Sequence, residues 1–124
     1  MNQIRIALVD DHALYRQLVR EFLKKDPELE VVAEAENGLA GVRAVEEHKP
    51  DVVLMDISMP VMNGIDASKL IMSRFPATKI IFLSMYSPES ITGVPNKTRA
   101  FLHLSKESNF REILAAIKSR VSAD

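Results

Sequence analysis

Residues 52–55 read Val-Val-Leu-Met, four apolar side chains in succession. A strand with one wet face alternates apolar and polar residues, so an unbroken run of this kind calls for burial on both faces. Short runs of the same character recur along the chain. "IRIALV" (4–9), "VVAEA" (31–35), "DVVLMD" (51–56), "KIIFLS" (79–84) and "AFLHL" (100–104) are strand candidates. Amphipathic segments lie between them. "ALYRQLVREFLKK" (13–25) carries Leu14, Leu18 and Phe22 at helical spacing, with Arg16, Arg20 and Lys24 on the other side and Asp26-Pro27 as its stop. "LAGVRAVEEH" (39–48) is opened by Asn37-Gly38 and closed by Lys49-Pro50, and "IDASKLIMSRF" (65–75) is stopped by Pro76. A last helix starts near Ser108 as N-cap and is striped by Phe110, Ile113, Leu114, Ile117 and Val121.

Strand and helix in alternation predict an α/β fold, a doubly wound parallel sheet with helices on both faces and right-handed crossovers. The more polar strand at 31–35 belongs at an edge. Residues 88–98, "PESITGVPNKT", stand where a helix is due, yet they hold Gly93 and Pro95. An interior proline costs about 3 kcal/mol, so a short, distorted or absent helix is expected there.

The 124 residues suit one domain, 1–124, with a single core. A net charge of −1 gives no footprint for nucleic acid or an anionic membrane, so direct DNA binding by this segment is not expected. No apolar run reaches the roughly 18 residues that span a bilayer. Cysteine is absent, which excludes disulfides and thiolate metal sites. The cytoplasm is the expected location.

Ligands of an open α/β sheet bind beyond the carboxyl ends of its strands. Those ends carry Asp10 and Asp11, Asp56, Ser84 and, two residues past the fifth strand, Lys106. Each has an ordinary reading. Asp11 can cap a helix, Ser84 can serve a turn, Lys106 can be a solvated lysine, and His12 reads as a helix-start residue rather than a ligand. Asp56 resists such a reading, because the strand is apolar right up to it and burying a lone charge costs several kcal/mol. If the first and third strands are neighbours, the three carboxylates converge and raise at least one pKa. A divalent cation relieves that repulsion, and an all-oxygen set favours Mg²⁺. Mg²⁺ and Lys106 would then draw charge off a phosphoryl group, with Ser84 donating a hydrogen bond and Asp56 as the nucleophile.

With these residues in view, "LVDDH", "DVVLMDISMPVMNG", "IIFLS" and the late lysine of "LSKES" resemble the receiver domain of two-component response regulators over essentially the whole chain. "VDDHALYRQ" and "LSMYS" are most similar to the subfamily whose receivers precede a LuxR-type helix-turn-helix domain. The resemblance implies a flavodoxin-like, five-stranded sheet of order 2-1-3-4-5. It implies that Asp56 takes phosphate from a histidine kinase. Asp11, Asp56 and the Ser58 backbone carbonyl would hold Mg²⁺, with Asp10 acting through water. Ser84 and Lys106 would contact the phosphoryl group, and Pro60 and Gly64 would shape the loop after Asp56. A homodimer through the first and last helices is implied in the same way; the chain is either a truncated regulator, whose helix-turn-helix domain could bind DNA, or a stand-alone receiver.

The chain departs from the family pattern in places. His103 stands where an aromatic switch residue is usual; it either makes switching pH-dependent or packs as a neutral edge-strand residue. Thr98-Arg99 replaces a small Ala-Gly pair. Tyr86 either shields an acyl phosphate from water or is a partly exposed loop aromatic. Two other classes compete with a phosphorylation switch: a binding module that switches without phosphate, and an aspartyl phosphohydrolase. The second typically needs an Asp two residues after the nucleophile, where this chain has Ser58. A flavodoxin would need a phosphate-cradling loop where the acid pair stands.

Overall fold

The computed structural model describes residues 3–85 and 101–122. Its elements follow in the order β1 (Ile4–Val9), α1 (Ala13–Leu23), β2 (Leu29–Ala35), α2 (Gly38–His48), β3 (Val52–Met55), α3 (Gly64–Arg74), β4 (Lys79–Ser84), β5 (Phe101–Ser105) and α4 (Phe110–Ser122). The five strands are all parallel and form one sheet of order β2-β1-β3-β4-β5, the expected doubly wound layout.

Two apolar layers flank the sheet because successive strand residues point to opposite faces. Ala7, Val9, Val53, Met55, Ile80 and Phe82 pack against α2 and α3 through Val42, Val45, Ala67 and Ile71. Ile6, Leu8, Val52, Leu54, Ile81 and Leu83 pack against α1 and α4 through Val19, Leu23, Ile113 and Ile117. All four residues of β3 are buried, which explains the unbroken apolar run. Each such side chain contributes roughly 1.5–3 kcal/mol of burial. The edge strand β2 is only half buried, and its register against β1 slips by one residue between Ile6 and Ala7.

Helix boundaries are set locally. Asn37 caps α2, its side chain accepting from the Ala40 N–H at 2.8 Å. Asn63 caps α3 in the same way, accepting from the Asp66 N–H at 2.8 Å. Lys49 ends α2 in the left-handed region at φ 48°, just before Pro50.

The sequence expectations need correction at four places. The last helix is capped by Asn109, not Ser108: the Asn109 side chain accepts from the Glu112 N–H at 2.9 Å, while the Ser108 N–H donates to Ser105 in the preceding turn. Strand β2 begins two residues earlier than expected, because Leu29 pairs with Ile4 and is buried. Helix α1 ends at Leu23, with Lys24 as C-cap. Its buried stripe also differs, running through Tyr15, Val19, Phe22 and Leu23, whereas Leu14 and Leu18 are 70% and 49% exposed. Two apolar rows run along this helix, and only one can face the sheet. The segment 88–98 lies outside the described residues.

Candidate functional site

The site forms where β1 and β3 end side by side. Val9 pairs with Met55, so the next residue of each strand, Asp10 and Asp56, emerges at the same edge. Two backbone bonds hold them there: the Asp56 N–H donates to the Val9 carbonyl at 2.8 Å and the Asp10 N–H donates to the Ala35 carbonyl at 3.0 Å. Asp10 and Asp56 are 5% and 4% exposed, whereas Asp11 faces solvent. The expected convergence of the three carboxylates is present. One ligand atom from each of Asp10, Asp11, His12 and Asp56 can be chosen so that all lie within 4.8 Å of one another.

Lys106 supplies the counter-charge from the end of β5. Its N–H donates to the Ser84 carbonyl at 2.8 Å, which fixes the backbone beside β4. Its Nζ lies 2.8 Å from Asp10 Oδ2 and 3.3 Å from Asp56 Oδ2, and rests 4.9 Å from the centroid of the Tyr15 ring. Lys106 is thus a buried ion-pair partner and not the solvated lysine of its ordinary reading. A cleft of about 260 Å³ opens above these groups, lined by Asp11, His12, Asp56, Ser58, Ser84 and Met85.

Opposing effects meet at Asp56. Desolvation is the largest, and with the Asp10 charge it disfavours the carboxylate. The Lys106 charge and the Ile57 N–H, which donates to Oδ1 at 2.8 Å, favour it. The first pair wins, and the Asp56 pKa is pushed up to about 6. Burial and the charges of Asp10 and Asp56 likewise push the Tyr15 hydroxyl up to about 12.

The loop after Asp56 is tightly wound. The Gly64 N–H donates to the Ile57 carbonyl at 2.8 Å, and a Cβ on Gly64 would stand 2.0 Å from the Asp56 carbonyl oxygen, so glycine is required there. The Met62 N–H donates to the Pro60 carbonyl at 2.7 Å, closing a three-residue turn around Val61 at φ 69°. Pro60 and Gly64 therefore shape this loop as expected.

Asp10, Asp11, Asp56, Ser58, Ser84 and Lys106 are brought together. His103 is not at the cleft: it pairs with Phe82 across β4 and β5, with ring centroids 6.2 Å apart in an edge-on contact. Tyr86 lies outside the described residues. Sequence reasoning set His12 aside as a helix-start residue and missed Tyr15 and Arg16, all on or beside the first turn of α1. His12 turns its imidazole onto the acid pair, Tyr15 lies against the Lys106 ammonium, and Arg16 donates from Nη1 to the Asp10 carbonyl. Glu34 on β2 accepts from Arg16 Nε at 2.9 Å and from Arg20 Nη1 at 2.7 Å. The signal for His12 was its place directly after the acid pair; for Arg16 and Glu34 there was none beyond charge.

Among the described residues, no helix is long and apolar enough to cross a membrane. Comparison with known proteins agrees with the architecture. The family model for the response regulator receiver domain matches residues 6–118. Transcriptional regulatory protein DegU of Brevibacillus brevis is 41% identical over 117 residues, covering 94% of this chain and 50% of that protein. Transcriptional regulatory protein LiaR of Bacillus subtilis is 38% identical over 116 residues, covering 94% of this chain and 55% of its own length. The chain therefore spans about half the length of the curated relatives it matches. Among solved structures, a LuxR-family two-component response regulator from Aurantimonas superposes with a TM-score of 0.85 at 28% identity, covering 98% of this chain and 87% of that one. With the strand order, the acid-lined sheet edge and this match in hand, the chain belongs to the receiver-domain family of response regulators, of the LuxR/NarL type.

Proposed function

We propose that residues 1–124 act as a phosphorylation-controlled switch in which Asp56 accepts a phosphoryl group from the phosphohistidine of a partner kinase. The observation that carries this reading is the position of Asp56, buried at the end of β3 yet facing a cleft with a lysine and two further acids. A carboxylate oxygen of Asp56 attacks phosphorus, the P–N bond to the kinase imidazole breaks, and its electron pair stays on the departing nitrogen. The product is an acyl phosphate on Asp56. The raised pKa marks a carboxylate poorly neutralised by its surroundings, and its charge is available for attack above about pH 6.

Acidic pockets of receiver domains hold Mg²⁺, and the donors here suit it: hard carboxylate oxygens, of which Asp56 Oδ2 is buried and accepts no hydrogen bond among the described residues. Asp11, Asp56 and the Ser58 carbonyl would hold the ion, with Asp10 reached through water. When bound, it supplies charge neutralisation to the phosphoryl oxygens. Lys106 adds a second positive charge, and the Ser84 hydroxyl offers a hydrogen bond from β4. No turnover beyond the domain's own phosphoryl transfer and dephosphorylation is expected. The output is regulation such as transcription, through a partner or domain outside these residues. A homodimer and a cytoplasmic setting fit this role.

Incubation with acetyl phosphate and Mg²⁺ should label one site per chain, and Asp56→Asn should reduce labelling by at least about 100-fold. Equal labelling of the variant would move the phosphoacceptor elsewhere.

A separate prediction concerns the Arg16–Glu34 pair behind the acid loop. Arg16→Leu removes the donor to the Asp10 carbonyl, and Mg²⁺ affinity should fall roughly fivefold, as for one hydrogen bond of about 1 kcal/mol. The exchange Arg16→Glu with Glu34→Arg restores the ion pair but not that donor, so calorimetry should show no recovery. Full recovery would reduce the pair to surface electrostatics.

A further inference from the structure

His12 stands in the cleft without a part in the phosphoryl chemistry. It occupies the N-cap position of α1, but its side chain makes no bond to the helix. The imidazole turns inward instead, with Nδ1 3.2 Å from Asp10 Oδ1, 3.6 Å from Asp11 Oδ1 and 3.7 Å from Asp56 Oδ2. Lys106 Nζ meets the same nitrogen at 2.9 Å. Nδ1 accepts from that ammonium in the tautomer that carries the hydrogen on Nε2, and donates to Asp10 Oδ1 in the other.

With the hydrogen on Nε2, four lone-pair donors of different residues gather at one small volume, and the cation now among them is Lys106. The distances from His12 to the three carboxylates are those found between ligands of one metal ion. With metal–ligand bonds of about 2.1 Å in an octahedron, neighbouring ligand atoms lie ~3.0 Å apart and opposite ones ~4.2 Å apart. The three His12 separations fall inside that interval. The buried wall of the cleft points the same way. Asp56 Oδ2 belongs to a side chain only 5% exposed, accepts no hydrogen bond of good geometry among the described residues, and has the Lys106 ammonium 3.3 Å away as its counter-charge.

We propose that His12 supplies an imidazole ligand to this cleft, giving it an Asp/His donor set that takes first-row transition ions such as Mn²⁺, Co²⁺ or Ni²⁺ in preference to Mg²⁺. The proposal rests on the reading of the acid cleft as a cation site and adds the residue that sets its metal preference. Mg²⁺ is hard and gains little from nitrogen, whereas imidazole suits the later first-row ions. An ion bound this way competes with Lys106 for the Nδ1 lone pair, so metal identity would alter how firmly the lysine is retained in the site.

The test uses the untagged chain with His48→Gln in every sample, to remove an exposed competing imidazole. Calorimetry gives Ni²⁺ and Mg²⁺ affinities for this protein and for its His12→Asn form, in which a good N-cap residue keeps the helix start intact. Pulsed electron paramagnetic resonance on the Mn²⁺-loaded protein reads nitrogen coupling at the metal directly. The expected result is nitrogen coupling that vanishes in His12→Asn. The Ni²⁺-to-Mg²⁺ affinity ratio should fall about tenfold or more while Mg²⁺ binding itself changes less than about threefold. Mg²⁺ binding with no nitrogen coupling, or with an unchanged ratio in the variant, overturns the ligand role of His12 and leaves the cation cleft standing. Failure of both ions to bind the His12-containing protein sinks the cation cleft itself, and this inference with it.

Discussion

Gly64→Ala is expected to lower the unfolding free energy by about 3–5 kcal/mol, an unusually large loss for the addition of one methyl group. Alanine normally favours a helix over glycine by about 1 kcal/mol, and here the sign reverses. The added Cβ would stand 2.0 Å from the Asp56 carbonyl oxygen and 3.0 Å from both the Asp56 carbonyl carbon and the Ile57 Cα. All three are backbone atoms, so no rotamer change relieves the clash. Either α3 withdraws and breaks the bond from the Gly64 N–H to the Ile57 carbonyl, or the end of β3 shifts and carries Asp56 with it. Gly41→Ala is the matched control. Its Cβ would meet the Val9 methyls at 2.9 and 3.1 Å, atoms of a side chain that can move, and a loss of about 1–2 kcal/mol is expected. Urea denaturation of the two variants side by side checks this. Equal losses would mean that the close approach behind Asp56 constrains nothing special.

Lys106→Met should cost about 2–4 kcal/mol at pH 7.5 in EDTA, because it strands two buried carboxylates without their cation. The loss should depend on pH in a defined direction. Lys106 is among the groups that lower the Asp56 pKa, so its removal drives that pKa further above about 6. A carboxyl group whose folded pKa lies above its unfolded value near 4 keeps its proton longer in the folded chain. The stability this contributes is present in full below the unfolded pKa and is lost as pH rises through the folded one. The deficit of the variant should therefore be small at pH 5 and grow steadily to pH 7.5. Saturating Mg²⁺ should reduce it again. Denaturant midpoints at the two pH values decide the matter, and a deficit independent of pH would show that the lysine stabilises by packing alone.

Much of this architecture can be read from residue order because each strand is announced by a short apolar run and each helix by its stop. The buried β3 and the strand ends that carry Asp10, Asp56, Ser84 and Lys106 follow from alternation and from the rule that parallel sheets gather chemistry at their carboxyl edge. What could not be read is side-chain direction. Leu14 and Leu18 share a helical row that looks like a core stripe, yet Tyr15, Val19, Phe22 and Leu23 face the sheet. Spacing cannot choose between two apolar rows a residue apart. Ser108 and Asn109 are adjacent good caps, and only backbone geometry selects the asparagine. His12 is a helix-start residue by position and a wall of the acid cleft by rotamer, and the second fact is absent from any one-dimensional pattern. Arg16 and Glu34 meet because α1 lies over the edge strand, a contact that no local signal encodes.

The sheet also interleaves early and late parts of the chain. The neighbouring strands β1 and β3 lead directly into the three acids, while the lysine that offsets part of their charge follows the last strand, fifty positions after Asp56. A polypeptide emerging from its amino end thus displays the negative charges well before it owns the positive one. Until the final β-segment docks, those oxygens have only nearby N–H groups and whatever proton or ion the surrounding water lends. Completion of the fold adds one fixed positive charge against three negative ones, and the pocket still depends on an outside cation for the rest.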